Sequence, residues 1–165
     1  SIRPQRQMCI TDRYGIVDNF QPSHSHVIPG MIRRFHEAKA DVVEDTPPTP
    51  TVECWGDGTP MREFMYSDDI ADACVFAMDH YENAELINVG SGEDVSIKEL
   101  SETIARVVGY NGRIEWDTSK PNGTPKRPLD YSKISNLGWK PKHTLAEGLQ
   151  KTYEWFCEHT HVQTK

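Results

Sequence analysis

His26 is the side chain whose surroundings best suit acid–base chemistry. It precedes an apolar helical stripe, and the positive end of a helix favours a neutral ring that can give or take a proton near neutrality. The alternative is a residue that only hydrogen-bonds backbone at a helix start. Arg34, Arg62, Arg113, Lys126 and Arg127 form a second set, suited to anions. A guanidinium offers a phosphate two parallel N–H groups, which an ammonium does not. For each of these the plain alternative is a solvated surface charge, and for Arg62 a pairing with Glu63 or Asp69. His24, His26 and His36 make a poor metal site, because rings at a helix start diverge and no carboxylate stands at a helpful spacing.

The elements that must position these groups are organised around residues 55–69, WGDGTPMREFMYSDD. Asp57-Gly58 is a strong turn signal. Val52 and Cys54 alternate with polar neighbours before the turn, and residues 63–66 are strand-like after it. The spacing therefore predicts a hairpin, with Arg62 beside its turn. Ser67 reads as the cap of a helix that carries Asp68 and Asp69 in its first turn. Upstream, Val27, Ile28, Met31, Ile32 and Phe35 predict a helix from Ser25 to about Ala40. Pro29 is tolerable in its first turn, and Arg33, Arg34 and His36 fall on or near its polar side. The acidic, proline-rich run over 41–50 predicts a mobile surface loop.

Downstream, Ile70, Ala73, Cys74, Ala77 and Met78 predict a second amphipathic helix, and residues 86–89 a short apolar strand closed by Gly90-Ser91-Gly92. Ser96 with Glu99, and Thr144 with Glu147, are capping boxes. The first opens a helix that buries Ile97, Leu100, Ile104, Val107 and Val108 and stops at Gly109. The second opens a helix presenting Leu145, Leu149, Tyr153 and Phe156. Residues 113–117 read as a strand, 118–128 as a basic loop, and a short helix ends at Gly138; residues 160–165 read as a disordered tail. Helices alternating with short strands make the chain α/β.

At 165 residues the chain is one domain by length. It is polar for its size, 36% hydrophobic with a mean hydropathy of −0.65, as suits a piece whose apolar faces are shared with something else. A net charge of −7, with no basic face to offset the acids, excludes a nucleic-acid partner. Cys9, Cys54, Cys74 and Cys157 form no CxxC pair, so reduced thiols and a cytoplasmic location are expected. No run approaches a membrane span, and a first residue of Ser rather than Met reads as a fragment.

The turn WGDGTPMREFMYSDD is joined by DNFQPSHSHVIPGMIRRFHEA (18–38), INVGSGEDVSIKEL (87–100), VVGYNGRI (107–114), SKPNGTPKRPLD (119–130) and the LGWKP…LAEGLQKTYEWF tail. Together these resemble, over nearly the whole chain, the substrate-binding half of the GDP-L-fucose synthases, within the extended short-chain dehydrogenase/reductase superfamily. Sugar-nucleotide epimerases in general share the turn, its Arg and the LGW tail; SHVIP…RRFHEA and SKPxGTPKR are narrower. The resemblance implies an α/β fold of NAD-dependent epimerase/dehydratase type, of which this is the C-terminal substrate-binding lobe with the N-terminal Rossmann half missing. Residues 1–17 would be the remnant of the last Rossmann strand and the cofactor-side loop, and 18–159 the substrate-binding domain.

The activity so implied converts GDP-4-keto-6-deoxy-D-mannose to GDP-L-fucose, by epimerisation at C3 and C5 and reduction at C4 with NADPH. The resemblance places substrate contacts at Arg34, Trp55, Arg62 and Arg113, with Lys126 and Arg127 closing over the nucleotide. His26 becomes the general acid, near both sugar and cofactor. Ile10, Thr11, Asp12 and Arg13 fall in the NADP-side loop, where the family's PTNxYGP is ITDRYGI and only the Thr and Tyr-Gly survive. A homodimer formed through the missing half is implied for the complete enzyme. Two motifs of the complete enzyme have no match in this chain. There is no GxxGxxG after a strand, and each of the 6 tyrosines lacks a Lys four residues on. The chain alone is therefore expected to be inactive. Another nucleotide-sugar epimerase or dehydratase, and a non-catalytic binding module or truncated product, are the rival readings.

Overall fold

In the computed structural model, residues 13–40, 50–126 and 129–159 are described. The elements run β1 (Arg13–Tyr14), α1 (Val27–Ala40), β2 (Thr51–Trp55), β3 (Met61–Glu63), β4 (Met65–Tyr66), α2 (Ser67–His80), β5 (Asp94–Ser96), α3 (Ile97–Val108), β6 (Arg113–Asp117), α4 (Ser132–Asn136) and α5 (Leu145–His159). Strands pair as β1 with β4 and β2 with β6, both parallel, and β3 with β5 antiparallel.

Strand β2 alternates, with Val52 and Cys54 buried and Thr51, Glu53 and Trp55 outside. Its buried face meets a helical layer in which α1 packs on α3 and α3 on α5. Helix α1 buries Ile28, Met31, Ile32 and Phe35, at the helical spacing its sequence predicts. Helix α3 buries Leu100, Ile104 and Val108, opens with the full Ser96–Glu99 capping box and stops where Gly109 turns left-handed at φ 75°. Helix α5 opens with Thr144 and Glu147 bonding each other's backbone N–H groups, and its Phe156 lies 4.7 Å from the Phe20 ring. A smaller cluster of Met65, Ala73, Ile134 and Trp139 forms under α2 and α4.

Several expectations change. Residues 52–66 do not form a hairpin, because β2 takes β6 as its partner and β3 takes β5. The turn between β2 and β3 instead serves α3: Gly58 and Pro60 carbonyls accept the Lys98 and Ile97 N–H groups, donors that a helix start leaves unpaired. Tyr66, not Ser67, is the residue before α2, and it makes no side-chain cap. Residues 86–89 form no strand, although Ile87 and Val89 pack on the smaller cluster. In α2 the inward positions are Ile70, Ala73 and Phe76, whereas Cys74 and Met78 face outward. Arg33 and His36 are drawn into packing: Arg33 donates to the Phe20 carbonyl, and His36 to or from the Tyr153 hydroxyl. The expected surface loop lies, over 41–49, outside the described residues, as does the 160–165 tail. Among the described residues no helix is long and apolar enough to cross a membrane.

Candidate functional site

Trp55 is the last residue of β2 and is 67% exposed. The strand's alternation, which buries Val52 and Cys54, forces Trp55 out on the same face as Thr51 and Glu53. With Arg34, Glu37, Ala38 and the outer face of β2 it lines a wide-mouthed groove of ≈ 330 Å³. Arg34 reaches this groove from α1. Its Nη1 donates to the Glu53 carbonyl at 2.8 Å and its Nε to Gly30 at 3.3 Å, two of the five N–H groups a guanidinium carries. Lys120, from the loop after β6, stands 5.8 Å over the Trp55 ring.

Arg62 lies on β3, half-buried, and its Nη1 donates to the Met61 carbonyl at 2.7 Å. Neither acidic neighbour pairs with it. Glu63 accepts the Gly92 N–H and the Ser91 hydroxyl, and Asp69 is held by His143. Gly123 of the 118–126 loop passes close by, a Cβ there falling 3.6 Å from Arg62 Nη2. Asp57, in the turn between Trp55 and Arg62, accepts the Thr59 N–H and hydroxyl; these bonds hold its carboxyl below the usual range.

The remaining candidates are scattered by the fold. Arg113 shares the outer face of the β2–β6 pair with Trp55, but its register partner is Thr51, at the opposite end. Four residues of strand separate the two, about 13 Å. Lys126 is committed to Asp94 at 2.6 Å. His26 occupies the position before α1, where its carbonyl accepts the Gly30 N–H, and its ring is exposed. It lies eight residues before Arg34, about 12 Å along the helix axis. Arg13 is exposed in β1, paired in register with Met65. Ile10, Thr11, Asp12 and Arg127 lie outside the described residues. Tyr14, which the cofactor-side loop keeps, is a packing group. Its buried hydroxyl donates to the Leu145 carbonyl, and burial, then the charge of Asp69, pushes it well above the ordinary tyrosine range.

The Gly90-Ser91-Gly92 turn does not fit a dinucleotide: it is closed around the Glu63 carboxylate, which takes the N–H and hydroxyl that a phosphate would need. Among the described residues no group of His, Cys, Asp or Glu could hold a metal ion. Sequence reasoning overlooked two features: Asn122, discussed below, and the Asp69–His143 pair. Asp69 is 2% exposed and accepts both the His143 ring nitrogen at 2.9 Å and its backbone N–H at 3.1 Å. The Asn122-Gly123 dipeptide was a legible turn signal for the first; nothing local signals a contact 74 residues apart for the second.

Residues 8–90 match the NAD dependent epimerase/dehydratase family. The chain is 49% identical, over 90% of its length, to GDP-L-fucose synthase 1 of Arabidopsis thaliana, of which it covers 44%. It is 47% identical, over 94% of its length, to GDP-L-fucose synthase of Escherichia coli K12, of which it covers 50%. Its fold superposes with a TM-score of 0.81 on the GDP-L-fucose synthetase of Naegleria fowleri bound to NADP, at 26% identity, covering 93% of this chain and 47% of that one. The chain thus spans about half the length of the relatives it matches. With the family model matched over half of its residues, the chain belongs to the NAD dependent epimerase/dehydratase family.

Proposed function

We propose that this chain is the nucleotide-sugar-binding portion of a GDP-L-fucose synthase. The observation that carries the reading is Arg62, a half-buried guanidinium whose acidic neighbours, Glu63 and Asp69, are engaged elsewhere. An arginine so placed, beyond a turn from an exposed Trp55 ring, suits a ligand with a flat base and two phosphates. Arg34 adds a second guanidinium beside Trp55. Arg113 stands at the far end of the β2–β6 pair from Trp55, and Lys126, beside Met61, is paired with Asp94, so a conformational adjustment would have to bring both in; Arg127 lies outside the described residues.

In the complete reaction, His26 would return a proton to the sugar during epimerisation at C3 and C5, next to the 4-keto group. NADPH would reduce C4. Most of its binding is assigned to other parts of such an enzyme, with Ile10, Thr11, Asp12, Arg13 and His26 at the edge of its site, and dimerisation is assigned to those other parts too. The chain's own task is to hold and orient the GDP moiety. Calorimetric titration of GDP into the 165-residue chain tests this. Saturable binding at one site is expected, and heats no larger than dilution would overturn the reading.

A further inference from the structure

We propose that Asn122 is a positioning residue, a clasp that fixes the spacing between the Trp55 ring and the Arg62 guanidinium. The role rests on reading that face as a nucleotide-sugar site. Trp55 ends β2 and Arg62 lies within β3, and these strands do not pair with each other. Nothing in the sheet ladder therefore sets the distance between the two side chains. What spans both is the 118–126 loop. It leaves β6 at Asp117, the register partner of Trp55, and arrives at Lys126, which bridges to Met61, the residue before Arg62.

The loop is pinned to the turn at its middle as well as its ends. Asn122 Oδ1 accepts the Asp57 N–H at 2.7 Å, while the Asp57 carboxylate is held by Thr59 and by the same Asn122 side chain. Gly56, at φ +82°, passes so close that a Cβ there would fall 2.3 Å from Asn122 Oδ1, so only glycine permits the approach. At the ends, the Asp117 carbonyl accepts the Gly56 N–H at 2.9 Å and the Pro125 carbonyl accepts the Met61 N–H at 2.7 Å. Asn122 supplies the side-chain contact between these two backbone anchors. Removing it leaves each anchor in place, with Gly58 and Pro60 still bonded to α3, but frees the Asp57 backbone and the middle of the loop, and the ring can then shift relative to the guanidinium.

A ligand that engages both groups feels that spacing, and a ligand that engages Arg62 alone does not. The test is calorimetric titration of GDP and of inorganic pyrophosphate into the chain and its Asn122→Ala and Asn122→Asp variants. Asn122→Ala should weaken GDP about tenfold, the scale of one hydrogen bond, and leave pyrophosphate unchanged. Asn122→Asp keeps the acceptor for the Asp57 N–H but faces the Asp57 carboxylate, so the ratio of the two affinities should return part of the way to that of the wild type. The ratio is read because an added carboxylate repels both ligands. An unchanged ratio in Asn122→Ala, or an equal loss on both ligands, overturns the clasp. A wild type that binds neither ligand overturns the functional reading instead, and the clasp is then decided by amide exchange. Faster exchange of the Asp57 N–H in Asn122→Ala, with protection kept in Asn122→Asp, supports it; equal rates in all three overturn it.

Discussion

An arginine serves an incoming anion better the less its charge is already shared. Arg62 meets that condition, because the two acids beside it in sequence are turned to other donors. Charge-assisted hydrogen bonds are worth about 1.5–3 kcal/mol, so Arg62→Ala should weaken GDP roughly ten- to a hundredfold. Arg62→Lys keeps the charge and loses the fork, and should also lose affinity. Arg33 would be a poor control, since its Nη1 supports the Phe20 carbonyl and its Nε pairs with Glu37; exposed Lys151 on α5 is a better one. Titrations in which Arg62→Ala binds like Lys151→Ala would return Arg62 to a surface role. That Arg62 and Trp55 flank one turn was legible in sequence. Their commitments were not: whether Glu63 meets Arg62 or Gly92 depends on a loop 28 residues away.

At the scale of elements, local chemistry was the readable part. Both capping boxes, the Gly109 stop and the apolar stripe of α1 form where their sequences place them, since each depends on residues within one or two helical turns. Pairing was not readable. A turn flanked by two strand-like runs looks like a hairpin, yet β2 bonds to a strand whose first residue, Arg113, is far along the chain. The boxes have a consequence for pH. Glu99 and Glu147 each accept backbone N–H bonds, from Ser96 and Thr144, which hold their carboxyls below the usual range. A depressed folded value gives stability that is present above the unfolded value of about 4.3 and is lost as pH falls through the folded one. The thermal midpoint should therefore fall as the pH drops below about 4.3. Glu99→Gln with Glu147→Gln, which keeps the acceptors, should flatten that fall. Parallel pH profiles for the two proteins would show that the boxes do not contribute.

For the molecule as a whole, the apolar surface is unevenly covered. Val75 and Met78, three residues apart on α2, are 60% and 83% exposed, and Leu86 beyond the helix is 71% exposed. Residues at that spacing share a helix face, and such a face in water favours association. The chain on its own should self-associate as its concentration rises and should bind an apolar dye. Replacing Val75 and Met78 together by Glu should reduce both effects. Sedimentation showing a monomer at all concentrations, with no dye bound, would contradict this. Composition gave the hint, since the chain is polar overall at a mean hydropathy of −0.65. It could not say which helix keeps its apolar side outside, because that depends on which neighbours α2 meets.

The bond from the Tyr14 hydroxyl to the Leu145 carbonyl joins positions 131 residues apart. It ties the first described strand to the start of the last helix, and Phe20, just after that strand, rests on Phe156. Contacts of such long range are slow to find, because the chain between them must be ordered first. During synthesis, the Phe20 ring and His36 of α1 cannot make their contacts with Phe156 and Tyr153 until α5 has left the ribosome. Until then the side of the α1–α3 layer that α5 covers stays open to water. A message cut short before Leu145 would leave that side of the core uncovered.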